Sequence, residues 1–107
     1  MAVKDIPAVG GISIGRVKNA LNINWGDPEG EKRLFEVMQE ADGYLRNFTG
    51  ADFIEWDSEP QYRALFYDCV RYIRAAALPD FTRNYDKELN EFHDSFIIRG
   101  LGDGVQE

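Results

Sequence analysis

Apolar residues recur at helical spacing over most of the chain, and the clearest run is PQYRALFYDCVRYIRAAAL, residues 60–78. Tyr62, Leu65, Phe66, Cys69, Val70, Ile73, Ala76 and Ala77 fall on one helix face, the i, i+3, i+4, i+7 pattern of an amphipathic helix. Glu59 and Pro60 suit its start, because proline presets φ and its missing N–H is not needed in the first turn. Pro79 marks its end, since the residue before a proline is pushed out of the α region. This stretch is expected to be the central helix, with the other segments packed on its apolar face.

Three further helices are predicted around it. A short one over Ile14–Leu21, capped by Ser13, places Ile14, Val17 and Leu21 together. Asn22 to Gly30 gathers Asn, Gly, Asp and Pro and reads as a loop. A longer helix, from about Glu29 to Phe48, buries Leu34, Val37, Met38, Ala41, Leu45 and Phe48. Glu29 and Glu31 favour its positive N-terminal end, and Gly50 follows as a left-handed stop. Gly43 lies within this helix, off the stripe, either as a tolerated surface glycine or as a point of close approach by another chain. The last helix runs from about Lys87 to Arg99, capped by Asp86, with Leu89, Phe92, Phe96 and Ile97 apolar. Pro79 to Asn84 reads as a tight corner, residues 1–11 as a flexible arm and residues 100–107 as a flexible tail. The expectation is an all-α fold, a small helical bundle in a single domain spanning residues 1–107.

Residues 51–59, ADFIEWDSE, carry no helical stripe and alternate acids with large apolar groups. Burying Phe53, Ile54 and Trp56 would draw Asp52, Glu55, Asp57 and Glu59 toward low dielectric, which is costly unless each is paired. Exposing all three would make a sticky patch. A partner's groove, taking the apolar groups and leaving the acids at its rim, answers both problems. The alternative is that Phe53 or Trp56 folds back to cap the bundle.

Charge changes the picture less than its distribution does. The formal net charge is −7; residues 1–50 hold six basic and seven acidic groups, and residues 51–107 hold six and twelve. That balance argues against independent binding to a nucleic-acid backbone, which needs clustered Lys and Arg. Arg63, Tyr67, Arg71 and Arg74 nevertheless line up on the central helix beside its apolar stripe. Such a ridge serves ion pairs within the domain, the carboxylates of a neighbouring subunit, or phosphate, in that order of preference for an acidic chain.

No residue pattern points to catalysis, a cofactor or a metal. Cys69, the single cysteine, sits on the core stripe, and the single histidine, His93, lies beside the apolar face of the last helix. Asp52 to Asp57 lacks the glycine and acid register of a calcium loop. No apolar run approaches the ~20 residues of a membrane span, and MAVKDIPAVGG lacks the apolar core of a signal peptide. Synthesis and retention in a cytoplasm are expected.

The order of these pieces resembles the head–tail connector (adaptor) family of tailed double-stranded DNA phages and prophages. The similar residues are Val17-Lys18-Asn19-Ala20-Leu21-Asn22-Ile23, an acidic loop, a long helix with Ala41 and Tyr44 closing on Phe48-Thr49-Gly50, a proline-initiated helix, and a last helix with a short tail. The resemblance covers roughly residues 12–100, and its motifs are short. The segment Pro79 to Asp86 is shorter than the excursion many relatives carry there. The resemblance implies a non-enzymatic protein without a cofactor that forms a homo-oligomeric ring below the portal protein. It further implies that the ring extends the DNA channel, with only passive proximity to the duplex, and docks stopper or tail-completion proteins. Localisation would be the virion, after assembly in the bacterial host cytoplasm. Phe53, Ile54, Trp56, Arg63, Tyr67, Arg71 and Arg74 are then the candidate protein–protein contacts. The main alternative is a small helical adaptor or regulatory protein that binds a single protein partner.

Overall fold

The computed structural model describes the backbone of residues 8–24 and 26–105, and the side chains of these up to Ser95. The chain is mostly helical. In order it forms β1 (Ala8–Val9), β2 (Ile12–Ser13), α1 (Ile14–Ala20), α2 (Pro28–Arg46), α3 (Pro60–Arg74), α4 (Leu78–Asn84) and α5 (Asp86–Val105).

The helices begin where side-chain chemistry starts them. Ser13 Oγ accepts from the Arg16 backbone N–H at the head of α1, and Asp27 Oδ2 accepts from that of Gly30 at 2.8 Å at the head of α2. Lys18 Nζ reaches Glu31 at 2.7 Å, tying α1 to the first turn of α2. Leu34, Met38, Ala41 and Leu45 of α2 face Tyr62, Leu65, Phe66, Cys69 and Val70 of α3, and these residues share a single buried cluster. Val37, Phe48 and Ile73, expected inside, are only partly buried at its margin. Gly50 ends the α2 turn with φ +74°, its N–H donating to the Arg46 carbonyl at 2.9 Å.

Four expectations need correction. The all-α fold includes a small antiparallel hairpin, with Ala8 opposite Ser13 and Val9 opposite Ile12. Residues 8–11, expected in a flexible arm, are therefore structured, with Val9 and Ile12 in the core; residues 1–7 of that arm lie outside the described residues. Gly10 and Gly11 both have positive φ, +54° and +87°, the backbone that a two-residue hairpin turn requires. Second, α3 stops at Arg74, because Ala76 turns left-handed at φ +56°, and Ala76 is exposed rather than on the apolar stripe. Third, the corner at Pro79 to Asn84 is the helix α4. Pro79 occupies its first turn, where a proline is tolerated, and Phe81 is fully buried beneath it. Fourth, α5 continues to Val105. Residues 100–105, expected as tail, are helical, since glycine weakens a helix by about 1 kcal/mol without forbidding it. Phe96 and Ile97, placed on the apolar face by their spacing, lie outside the described side chains, as do residues 106–107 altogether.

The segment joining α2 to α3 supplies the centre of the core. Trp56 is completely buried, stacked between Phe66 and Phe92 at ring-centroid distances of 5.4 and 5.7 Å. Tyr62 meets it edge-on at 6.4 Å. Ile54 is buried beside it. The hairpin lies over this segment, where the Asp57 N–H donates to the Gly10 carbonyl at 3.3 Å.

Candidate interaction surfaces

The candidate contact residues separate into those the fold consumes and those it leaves at the surface. Ile54 and Trp56 belong to the first group. With 2% and 0% of their surface exposed they form core rather than a docking loop. Trp56 folds back to cap the bundle, and the acids that argued against burial stay outside or find partners. Asp52 and Glu55 remain exposed, while Asp57 accepts from Arg16 at 2.9 Å and from Arg63 at 3.2 Å. These contacts hold the Asp57 carboxyl below its ordinary value, the Arg16 hydrogen bond being the largest cause. Phe53 alone remains at the surface, 67% exposed.

The ridge on α3 divides in the same way. The Arg63 guanidinium also donates to the Asp57 carbonyl at 3.1 Å, which fixes it against the connecting segment. Arg71 is paired with Asp68 at 2.5 Å, and Asp68 also accepts from the Tyr85 hydroxyl at 2.9 Å. Tyr67 is half-buried and packs against the core at Phe66. Arg74 is different. It is exposed and, with Arg33 and Asp27, flanks a shallow groove of about 540 Å³ whose floor is Leu34, Val37 and Ile73. Among the described residues, neither Arg33 nor Arg74 makes an ion pair. Arg33 escaped the sequence reading because it sits on α2, and only the antiparallel packing of α2 on α3 brings it beside Arg74.

A second groove, of about 380 Å³, lies between α3 and α5. Tyr62, Leu65 and Phe92 form its apolar floor, and Asp68, Glu88 and Glu91 its rim. Arg71 answers Asp68, while Lys87 approaches Glu91 only to 3.9 Å with both side chains largely in solvent. Spacing alone puts Glu88 and Glu91 on the polar side of the last helix. Their convergence with Asp68 requires the packing of α5 across α3.

The groups with nucleophile chemistry are quiet. Cys69 is fully buried, and burial pushes its thiol up to about 12, with Glu40 and Asp68 adding to the shift. At neutral pH it is a protonated core filler. His93 is half-buried, with Nδ1 3.4 Å from the Asp94 carboxylate. No helix among the described residues is long and apolar enough to cross a membrane. Comparison of the chain with protein-family models, with curated proteins and with solved structures found no match.

Proposed function

We propose that this chain is a non-enzymatic structural protein of a tailed phage or prophage, a head–tail connector that assembles as a ring below the portal. The observation that carries the proposal is the pair of unlike surfaces on one small domain. Among the described residues, Arg33 and Arg74 make no ion pair on the α2–α3 seam, in a groove they share with Asp27, and carboxylates gather between α3 and α5. A closed ring built from head-to-tail contacts needs two different patches on each subunit. Opposite charge on those patches would set register and suppress wrong pairings. The resemblance supports the same reading. Its Val17 is buried at the α1 contact, Leu21 and Ile23 pack against the core, Ala41 is buried in α2, and Thr49-Gly50 closes that helix.

On this reading the partners are further copies of the chain, the portal protein, and a stopper or tail-completion protein. Double-stranded DNA passes the ring without specific contact, because an acidic wall repels the phosphate backbone. The protein would reside in the virion, after assembly in the host cytoplasm.

Sedimentation velocity, with and without the portal protein, tests the proposal. The wild type should form large rings, at least in contact with the portal. Arg33→Glu combined with Arg74→Glu should abolish them while leaving the melting curve of the monomer unchanged. Rings of normal size from this variant would remove the arginine surface from the interface. A chain that stays monomeric with the portal, yet binds a different single protein, would favour a small helical adaptor instead.

A further inference from the structure

Two features of opposite shape stand at opposite ends of the α2–α3 pair. At one end is the groove beside Arg33 and Arg74, where α2 begins and α3 stops. Its floor is open, because Val37 and Ile73 are only partly buried. Asp27 shares this rim but caps α2 through the Gly30 N–H, and the two arginines leave the rim in positive excess. At the other end is Phe53, in the segment between Arg46, the last residue of α2, and Pro60, the first of α3. Among the described residues it is the large apolar side chain left exposed, and Asp52 and Glu55 on either side are exposed acids. The backbone that presents it is pinned. Arg46 Nη1 donates to the Asp52 carbonyl at 3.3 Å, and Ile54 is buried in the core. A group held out on fixed backbone has little ordering left to lose when it binds.

We propose that Phe53 of one copy of the chain seats in the α2–α3 groove of the next, on Val37 and Ile73, with Asp52 and Glu55 meeting Arg33 and Arg74. Shape, charge and position select a second copy as the occupant. A projecting ring fills a hollow with an apolar floor, and acids beside the ring answer arginines beside the hollow, an apolar centre inside a polar rim. Phe53 does not reach the groove of its own chain. Asp52 is held at Arg46, and about 14 Å of helix separate Arg46 from Val37. A knob and a hollow at opposite ends give each subunit the two unlike contacts of a head-to-tail series. The acidic surface between α3 and α5 is itself concave and does not fill another hollow; its charge steers the approach, and Phe53 makes the contact. This inference rests on the ring reading above and names the side chain that carries its subunit contact.

The test follows assembly of the full chain by sedimentation over a concentration series, alone and with the portal protein. Phe53→Ser, at an exposed site, should leave the melting curve in place and raise the concentration needed for assembly at least tenfold. Asp52→Lys/Glu55→Lys should act in the same direction. Adding Arg33→Glu/Arg74→Glu to that chain should restore assembly, because both sides of the contact then carry reversed charge. Photo-reactive p-benzoylphenylalanine in place of Phe53 should cross-link to residues 33–37 or 73–74 of another chain. Assembly that Phe53→Ser leaves unchanged, a fourfold variant that stays monomeric, or cross-links to any other surface would overturn the inference and leave the ring reading standing. A wild type that never assembles, with or without the portal protein, would overturn both.

Discussion

The indole N–H of Trp56 donates to Asp42 Oδ1 at 2.8 Å, joining the segment before α3 to the C-terminal part of α2. The other oxygen of that carboxylate accepts from Arg46 Nε at 3.0 Å. Asp42 thus satisfies a buried indole and keeps a charged partner near the surface, which removes the penalty of bringing a carboxylate to the edge of the core.

Trp56 and Phe53, close in sequence, should therefore respond oppositely to substitution. Trp56→Ser removes a fully buried ring stacked on Phe66 and Phe92. It should cost at least ~3–5 kcal/mol, with the melting temperature falling ~4–8 °C for each kcal/mol. Phe53→Ser, at an exposed site, should stay within ~0.5 kcal/mol of wild type. Denaturant titration of both variants checks this, and equal losses would contradict the placement of Trp56.

The hairpin turn offers a second measurement. A Cβ on Gly10 would press on the Trp56 ring and lie 2.5 Å from the Ile54 carbonyl oxygen, at a φ of +54° that side chains rarely adopt. Gly10→Ala should destabilise by ~1–3 kcal/mol from strain and overlap together. Loss of hydrogen-exchange protection in residues 54–57, with α2 still protected, would show that the hairpin lifts away before the bundle melts. Protection unchanged from wild type would contradict the close approach.

Gly43 gives the reverse case. A Cβ there meets nothing within 4 Å, and the residue sits inside α2. Gly43→Ala should raise stability by up to ~1 kcal/mol. If the stabilised variant also fails to form rings, another subunit approaches α2 at this position; normal rings return Gly43 to the free surface.

Acid should loosen the contact between α1 and the segment before α3. Arg16 holds the Asp57 carboxyl below its ordinary value of 3.8. The stability this carboxylate contributes is complete above that unfolded-state value and disappears as the pH falls through the lower value it has in the fold. Asp57→Asn should therefore lower the urea midpoint at neutral pH; the difference from wild type should persist down to ~pH 4 and disappear only as the pH falls further, through the lower value of the fold. A difference that persists at the acid end would assign the effect to packing.

The long elements were legible because their stripes are long. Leu34, Met38, Ala41 and Leu45 on α2, and Leu65, Phe66 and Cys69 on α3, followed from period alone and are buried. The missed elements are short and carry opposing signals. Val9-Gly10-Gly11-Ile12 held the two-glycine turn of a hairpin, but two-residue strands have no alternation to read. Pro79 could stop one helix or start another, and the left-handed Ala76 that decides between them has no signature in an alanine. Ile54 and Trp56 were ambiguous because two residues that satisfy their surroundings, Asp42 and Arg16, are distant in sequence. Both surface grooves lie between elements, so no single segment announces them.

The sandwich of Trp56 between Phe66 and Phe92 has a consequence during synthesis. When Trp56 leaves the ribosome, one face of its resting place has yet to be translated. At ~5–20 residues per second, Phe92 follows on the order of seconds later. Through that interval the half-made chain carries a large uncovered ring next to Ile54, the kind of exposed apolar surface that draws chaperones or neighbouring nascent chains. The domain therefore closes late, and its yield in a cell depends on how well that interval is guarded.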